Sequence, residues 1–243
     1  MALIPNSGSG RRFGALTARR RKCLLEVAGR SILARQLELL AERGLDRFLI
    51  TTGPFASEVE RAARRTLPAA RFEFVHNERF ESTNYIYSLW LTRERLGGPV
   101  LLLHGDLVFV REAIDALLSA RGDARVLVND AVEPPAQDFK ARLIHEHGAP
   151  ARVAEIGVDL DGDDCHFLAP CYALSAERMG RWMSEISRFV AAGKTSAYAE
   201  DALNPILTSF DLRAIPFHGF CTEVDTPDDL SAAEIRLRAL GGT

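Results

Sequence analysis

From residue 2 to residue 128, short apolar runs alternate with stretches whose apolar residues recur at helical spacing, and this rhythm restricts the fold more than any other feature of the chain. Strands are predicted at residues 2–4, 47–51, 72–76, 100–104 and 124–128. Helices are predicted between them at 31–43, 56–66, 83–96 and 112–120, with Gly44 closing the first and Ser82 or Thr83 capping the third. The run VLLLH at 100–104 reads as a strand buried on both faces. Such alternation implies an α/β fold with a Rossmann-like, mostly parallel sheet flanked by helices. The rhythm breaks at Glu133-Pro134-Pro135. Beyond it, 139–144, 151–156, 165–174, 212–216 and 220–224 read as strands, and 176–191, 199–208 and 228–240 as helices. This half is expected to form a smaller mixed β/α lobe embedded in the same domain.

Composition sets outer bounds. A chain of 243 residues has room for a substantial core and is most economically one domain. A formal charge of −3, with both signs interspersed, argues against nucleic acid as a partner. No apolar run approaches a membrane span, and the N-terminus lacks a signal-peptide core, so no membrane partner is expected. Cys23, Cys165, Cys171 and Cys221 form no C-x-x-C pair and no zinc spacing. They read as reduced, mostly buried thiols of a cytoplasmic protein.

The first strand empties into a small-residue loop, Asn6-Ser7-Gly8-Ser9-Gly10, followed by six cations between Arg11 and Lys22 with no acid among them. Glycines admit a ligand close to the backbone, and free N–H groups in such a loop suit an anion. Guanidinium and ammonium groups beside it suit a multiply charged anion such as a triphosphate. The spacing is not that of a dinucleotide fingerprint, because the third glycine, Gly14, comes one residue late. Nor is Gly193-Lys194-Thr195 a P-loop, since Arg188 stands where its first glycine belongs.

Two acidic segments carry further chemistry. Asp106 directly follows the buried run at 100–104, and strand carboxyl ends are where open α/β sheets bind ligands. A carboxylate there suits Mg²⁺, and it also suits a turn. Later, Cys221, Glu223 and Asp225 alternate, which puts both acids on one face of a strand, and Asp225 also stands at a helix entry. Lys140 and Arg142 share one face of another predicted strand, as acceptor-phosphate ligands or as a solvated face. Asp159–Asp164 reads as a turn and His145-Glu146-His147 as a surface loop.

Gly8-x-Gly10-x-Arg12 with Lys22 downstream resembles the first loop of sugar-phosphate and alcohol-phosphate nucleotidyltransferases. Asn6-Ser7 stands where two alanines are usual in that family, and Arg21 where a proline precedes the lysine. The stretch from His76 to Trp90, with Asn84 and Ser88, narrows the resemblance to bacterial phosphocholine cytidylyltransferases and related phosphonate cytidylyltransferases. Tyr85 replaces the second asparagine of their motif. Tyr198-Ala199-Glu200-Asp201 is similar to a segment at the acceptor site of the phosphocholine enzymes.

The resemblance implies one nucleotidyltransferase domain over residues 1–243, with about 1–130 binding nucleotide and about 131–243 forming an acceptor lobe with the C-terminal helix. Asn6, Ser7, Gly8, Ser9, Gly10, Asn84 and Ser88 would hold the nucleotide, with Arg12 and Lys22 on its phosphates. Mg²⁺ would sit between Asp106 and Asp225. Lys140, Arg142, Tyr198 and Glu200 would hold the acceptor. The implied reaction moves CMP from CTP to a small phosphonate or phosphoalcohol and releases pyrophosphate. Tyr85, Trp90, Phe167, Tyr172 and Tyr198 suit a phosphocholine or aminoethyl head group, whereas Lys140, Arg142 and His166 suit a more anionic acceptor. No aromatic box can be assembled from spacing alone, which inclines the sequence reading towards a phosphonate. A sugar-1-phosphate nucleotidyltransferase using another nucleotide, and a non-catalytic nucleotide-binding module, are the competing expectations. Self-association into a homo-oligomer is left open.

Overall fold

The computed structural model describes residues 1–8, 13, 21–129 and 132–241. The chain opens with β1 (Ala2–Ile4), and after a 3-10 turn at Lys22–Leu24 it makes a small hairpin from β2 (Glu26–Val27) and β3 (Arg30–Ser31). Helix α1 (Ile32–Ala41) then leads to β4 (Arg47–Thr52), α2 (Ala56–Thr66) and β5 (Arg71–His76). Next come α3 (Tyr85–Leu91), β6 (Val100–Leu103), β7 (Leu107–Phe109), α4 (Arg111–Ser119) and β8 (Ala124–Asn129). The second half holds β9 (Lys140–Ile144), β10 (Arg152–Gly157), β11 (Cys165–Leu174), α5 (Ala176–Ala191), α6 (Ala199–Leu203) and α7 (Leu207–Phe210). It closes with β12 (Arg213–Pro216), β13 (Cys221–Glu223) and α8 (Pro227–Ala239).

Nine strands form one sheet in the order β5-β4-β1-β6-β11-β8-β12-β10-β9. The expected parallel arrangement occupies β5, β4, β1 and β6, where apolar runs are joined by helical crossovers. β11 then runs antiparallel between β6 and β8, so the second half is built into the same sheet, and the whole is mixed. The β9–β10 hairpin, with β9 also paired to β11, is the smaller mixed part. Alternation along β1 divides the core. Ala2 and Ile4 pack with α1, α4 and α8 on one face of the sheet, and Leu3 packs with Leu102, Tyr172 and Trp182 on the other.

Several boundaries differ from the expected ones. The predicted helix at 83–96 is only Tyr85–Leu91, because Asn84, and neither Ser82 nor Thr83, caps it, with Asn84 Oδ1 accepting from Tyr85 N at 2.7 Å. At its far end the Thr92 hydroxyl donates to the Leu89 carbonyl at 2.6 Å, and the chain tightens into a 3-10 turn at Arg93–Arg95. The predicted helix at 199–208 is broken at Asn204-Pro205. The Asn204 amide is drawn away to the Ile156 backbone, accepting from its N–H at 2.9 Å and donating to its carbonyl at 2.7 Å. All four cysteines are buried and unbonded. Among the described residues no helix is long and apolar enough to cross a membrane.

Candidate active site

Asp106 owes its position to the turn between β6 and β7. Gln36 Nε2, from α1, donates to the carbonyls of His104 and Leu107 at 2.8 Å each and pins both ends of that turn. Gly105 brings the turn against the first loop. A Cβ there would lie 2.3 Å from Asn6 Oδ1 and 2.9 Å from the Pro5 carbonyl, so a larger residue would push the two segments apart. β13 pairs antiparallel with β7, placing Glu223 opposite Leu107, and Val224 N donates to the Asp106 carbonyl at 3.1 Å. Asp225, the next residue, is thereby carried to Asp106.

The α8 cap fixes Asp225. Thr226 Oγ1 accepts from Asp229 N, and Asp229 Oδ2 accepts from the N–H groups of Asp225 and Thr226 at 3.0 and 2.7 Å. Pro227 stands in the first turn, where its missing N–H costs nothing. The cap is thus Thr226 with Asp229, and Asp225, which the sequence placed at the helix entry, stands just before it.

Lys22 joins the two acids. Its Nζ lies 2.6 Å from Asp106 Oδ2 and 2.5 Å from Asp225 Oδ1, with the Lys22 side chain 12% exposed. Burial pulls the ammonium pKa down, but the charges and hydrogen bonds of the two carboxylates outweigh it and leave it raised. Burial likewise pushes the Asp106 carboxyl up, and Lys22 and His104 outweigh it, so the group is held below its ordinary range. Three residues far apart in sequence therefore meet as an ionised cluster. Asp106 Oδ1 is buried with no partner among the described residues. Two carboxylates around a position now filled by an ammonium, one of them with a spare oxygen, fit a hard divalent cation such as Mg²⁺.

The first loop lies beside this cluster. Asn6 N and Ser7 Oγ both donate to Thr51 Oγ1 of β4, at 3.0 and 2.7 Å. Gly53 passes so close that a Cβ would meet the Ser7 carbonyl at 2.4 Å. Arg21 is buried and donates to the carbonyls of Asn6, at 3.0 Å, and of Gly8. Burial lowers its pKa, and no carboxylate among the described residues pairs with it. A guanidinium held under a loop without a counter-charge is suited to a polyanion above that loop. The sequence reading marked Arg21 only as a departure from the family pattern. Ser9, Gly10 and Arg12 lie outside the described residues.

A cavity of about 320 Å³ opens over the loop and the cluster. One end is lined by Ser7, Gly8, Arg21, Lys22, Asp106 and Asp225. The other is aromatic, with Tyr85 from α3, His104, Phe139 just before β9, and Tyr198 just before α6. Ring centroids lie 5.1 Å apart for Phe139 and Tyr198, 4.7 Å for Tyr85 and His104, and 6.5 Å for Tyr85 and Tyr198. His104 Nδ1 is 3.1 Å from Glu223 Oε1. Burial disfavours the imidazolium, yet the hydrogen bond and charge of Glu223 outweigh it and raise the His104 pKa. Burial also raises the Glu223 carboxyl, against the opposing hydrogen bond from His104. Asp138, behind this wall, is pushed up to about 7 by burial and by the charges of Glu223, Asp225, Asp229 and Asp106.

A second recess of about 400 Å³ shares Ser7, Gly8, Asn84 and Tyr85 with the first and continues over Phe80 and Thr83. Ser88 lines it, its hydroxyl accepting from Asn77 Nδ2 at 3.0 Å. Asn84 and Ser88 thus come together with the first loop, on the side away from the acid cluster.

Three of the four expected acceptor residues do not line the cavity. The Lys140 ammonium is spent on the carbonyls of Ala136, at 3.2 Å, and Val158. Arg142 turns to Asp164, at 2.5 Å, and Glu155, at 3.4 Å. Glu200 is buried under the core, accepting from the Tyr172 hydroxyl at 2.8 Å, and burial with the nearby charges of Glu223 and Asp201 pushes it up to about 8. Of that set only Tyr198 reaches the cavity. Among the other aromatics, Phe167 and Tyr172 are core residues, and Trp90 stacks on Tyr87 at 5.5 Å outside the cavity. His104, Phe139 and Arg21 were missed. They belong to separate segments, and only the fold relates them, by bringing all three to one cavity with the His104 and Phe139 ring centroids 6.2 Å apart.

Fold and cluster together define an α/β nucleotide-handling protein, with an anion loop at the head of the sheet and an acid pair at its strand ends. The chain belongs to the MobA-like NTP transferase domain family, whose model matches residues 2–159. It is 33% identical over 133 residues to the CMP-5'-(3-aminopropyl)phosphonate synthase of Streptomyces rubellomurinus, a match covering 55% of this chain and 21% of that protein. It is 30% identical over 159 residues to the bifunctional protein GlmU of Anaeromyxobacter dehalogenans, covering 63% of this chain and 32% of that one. The chain therefore corresponds to about a fifth to a third of the length of these relatives. Its fold is that of the inositol-1-phosphate CTP transferase of T. maritima, with a TM-score of 0.80 at 18% identity over 100% of this chain and 96% of that one. The CTP:phosphocholine cytidylyltransferase of Streptococcus pneumoniae shares it, with a TM-score of 0.76 at 19% identity over 97% and 98% of the two chains.

Proposed function

We propose that the chain is a cytidylyltransferase that moves CMP from CTP to a small phosphonate or phosphoalcohol bearing an ammonium group. The observation that carries this reading is the joining of two unlike ends in one cavity. Lys22, Asp106 and Asp225 form a triphosphate and cation end, and Tyr85, Phe139 and Tyr198 form an aromatic end with Glu223 beside it. Aromatic faces next to carboxylates attract an organic cation. The relative that makes a CMP-aminopropylphosphonate and the fold neighbour that acts on phosphocholine agree with such an acceptor. The sequence inclined towards a phosphonate because no aromatic box could be assembled from spacing; the wall of Tyr85, Phe139 and Tyr198 supports a cationic head group instead, on a phosphonate or a phosphoalcohol alike.

In this reading CTP lies over the loop at Ser7 and Gly8, its base in the recess with Asn84 and Ser88. Asp106 and Asp225 would hold Mg²⁺, which would supply neutralisation of the triphosphate's charge. A phosphonate or phosphate oxygen of the acceptor, already ionised at neutral pH, forms a bond to the α-phosphorus. The bond from that phosphorus to the α–β bridging oxygen breaks, and its electron pair leaves with pyrophosphate. Lys22 stabilises the charge that builds on the α-phosphoryl oxygens, and Arg21 holds the loop whose N–H groups face the triphosphate.

The test is pyrophosphate release with Mg²⁺ and each of the four nucleoside triphosphates, against phosphocholine, 2-aminoethylphosphonate and glucose 1-phosphate. Release with CTP and an ammonium-bearing acceptor supports the reading. Release with UTP and the sugar phosphate replaces it with sugar-1-phosphate nucleotidyl transfer, and nucleotide binding without release replaces it with a non-catalytic module.

A further inference from the structure

The recess beside Ser7 and Gly8 is bordered by a hydroxyl whose proton no described residue takes. Asn84 and Ser88 stand one turn apart on one face of α3, and both line that recess. Ser88 is 1% exposed. A helical serine commonly returns its proton to the carbonyl four residues back, as Ser184, Ser187 and Ser231 do at 2.9, 2.8 and 2.9 Å. No such bond joins Ser88 to Asn84. The Asn84 carbonyl accepts from Tyr87 N at 3.1 Å, and the Ser88 oxygen accepts from Asn77 Nδ2 at 3.0 Å.

The surrounding bonds fix which atoms donate. Asn77 is buried, and its Oδ1 accepts from Arg79 N at 2.9 Å. Its amide nitrogen therefore faces Thr83 Oγ1, at 3.1 Å, and Ser88. A serine that accepts from an amide keeps its single proton to give, and the recess is where a buried proton of this kind finds an acceptor. Asn84 is oriented in the same way. Its Oδ1 accepts from Tyr85 N at 2.7 Å, so Nδ2 is the outward atom, and its contact with the Ser196 carbonyl at 3.5 Å uses one of its two protons. The recess wall thus presents two donors one helical turn apart, and neither group titrates.

A base edge is read by matching donors to acceptors. Cytosine carries two neighbouring acceptors, O2 and N3, whereas N3 of uracil carries a hydrogen. Asn84 lines both cavities and Ser88 only the recess, so Asn84 stands nearer the side where ribose and phosphates pass towards Lys22. O2 is the acceptor closer to the glycosidic nitrogen, and N3 is the one further in. We infer that Ser88 selects cytosine by donating its hydroxyl proton to N3, with Asn84 Nδ2 donating to O2. Asn77 is the positioning residue that turns the Ser88 proton into the recess. With uracil the Ser88 proton meets the N3 hydrogen, and two donors are left opposed. This deepens the cytidylyl-transfer reading and rests on its placement of the base in the recess.

The experiment compares wild type, Ser88→Ala, Asn84→Asp and Asn77→Ala. It reads kcat/KM for CTP and for UTP with 2-aminoethylphosphonate or phosphocholine, whichever the wild type uses, and calorimetric affinities for CMP and UMP. Wild type is expected to prefer CTP. Ser88→Ala is expected to lower the CTP-to-UTP ratio about tenfold or more through KM for CTP, with KM for the acceptor within about twofold. Asn84→Asp keeps the helix cap but loses the donor to O2, an acceptor both bases share. It is expected to weaken CTP and UTP alike and to leave their ratio within about twofold. Asn77→Ala frees the Ser88 hydroxyl to turn and is expected to lower the ratio about threefold or more, which loss of stability alone would not do. A wild-type ratio in Ser88→Ala, or equal weakening of both nucleotides with a lowered thermal midpoint, overturns the inference while cytidylyl transfer stands. A wild type that prefers UTP overturns both. A wild type that releases no pyrophosphate overturns the transfer reading, and the CMP-to-UMP affinity ratio in Ser88→Ala then decides the inference by itself.

Discussion

The two ends of the cavity are built on opposite principles. At the phosphate end charges face charges: Lys22 bridges Asp106 and Asp225, and Arg21 is tied to loop carbonyls, with Asp106 Oδ1 and Arg21 Nε buried and without a partner among the described residues. At the aromatic end the walls are rings, and His104 Nε2 and Tyr85 Oη are buried without a partner among the described residues. The first end binds ligands that replace one set of charges by another, so it is organised before anything arrives. The second offers a ligand aromatic faces in place of paired charges. On the proposed cytidylyl-transfer reading, common chemistry would belong to the first end and choice of acceptor to the second.

If that division holds, substitutions at one end should leave the other ligand's KM alone. The largest effects belong at the phosphate end. Lys22→Ala is expected to lower kcat by ~10²–10³, or roughly 3–4 kcal/mol, by analogy with loss of an oxyanion-hole donor. Asp106→Asn is expected to cost at least as much, and near wild-type turnover in either variant, with folding verified by circular dichroism, would break the comparison. Next is the aromatic wall. Tyr198→Ala should raise KM for an ammonium-bearing acceptor by about three- to tenfold, the range of a partly exposed cation–π contact, with KM for CTP unchanged. Arg21→Ala should do the reverse, raising KM for CTP by about tenfold through loss of the loop clamp, with little effect on the acceptor.

The last effect is on stability alone and leaves both KM values untouched. Glu200 is raised from its ordinary 4.5 to about 8 by burial. Between those values the unfolded chain releases this proton and the folded chain keeps it, so the group's contribution is full below about 4.5 and is lost as pH rises through about 8. The free energy of unfolding should therefore fall from pH 5 to pH 9 by on the order of a few kcal/mol, carrying the thermal midpoint down with it, and Glu200→Gln should flatten that profile. Glutamine keeps an oxygen for the Tyr172 hydroxyl. An unchanged pH profile in Glu200→Gln would show that the carboxyl does not hold its proton in the fold.

The same contrast explains what the sequence could and could not tell. Lys22, Asp106 and Asp225 each lie in a short local pattern: a cation after a glycine loop, an acid after a buried run, and alternating acids before a helix. Their meeting follows from the turn after β6, the β7–β13 pair beside it and the 3-10 turn at Lys22–Leu24 closing on one another. The acceptor wall has no such pattern. Tyr85, His104, Phe139 and Tyr198 come from four segments, and β11 must run back between β6 and β8 before the sheet brings them together. Period-two alternation did put Lys140 and Arg142 on one strand, but it cannot say which partners claim a side chain. Backbone carbonyls took Lys140, and Asp164, read as a turn residue, took Arg142. Glu200 shows the converse, a polar residue in a motif-like segment that the fold buries under Tyr172.

The most direct measurement is kcat/KM for 2-aminoethylphosphonate against its uncharged isostere propylphosphonate, with CTP and Mg²⁺ in both. The expected result is a preference of about tenfold or more for the ammonium-bearing acceptor, with equal KM for CTP. Equal use of the two acceptors, or transfer only to a sugar phosphate, would contradict the assignment of the aromatic end to a cationic head group.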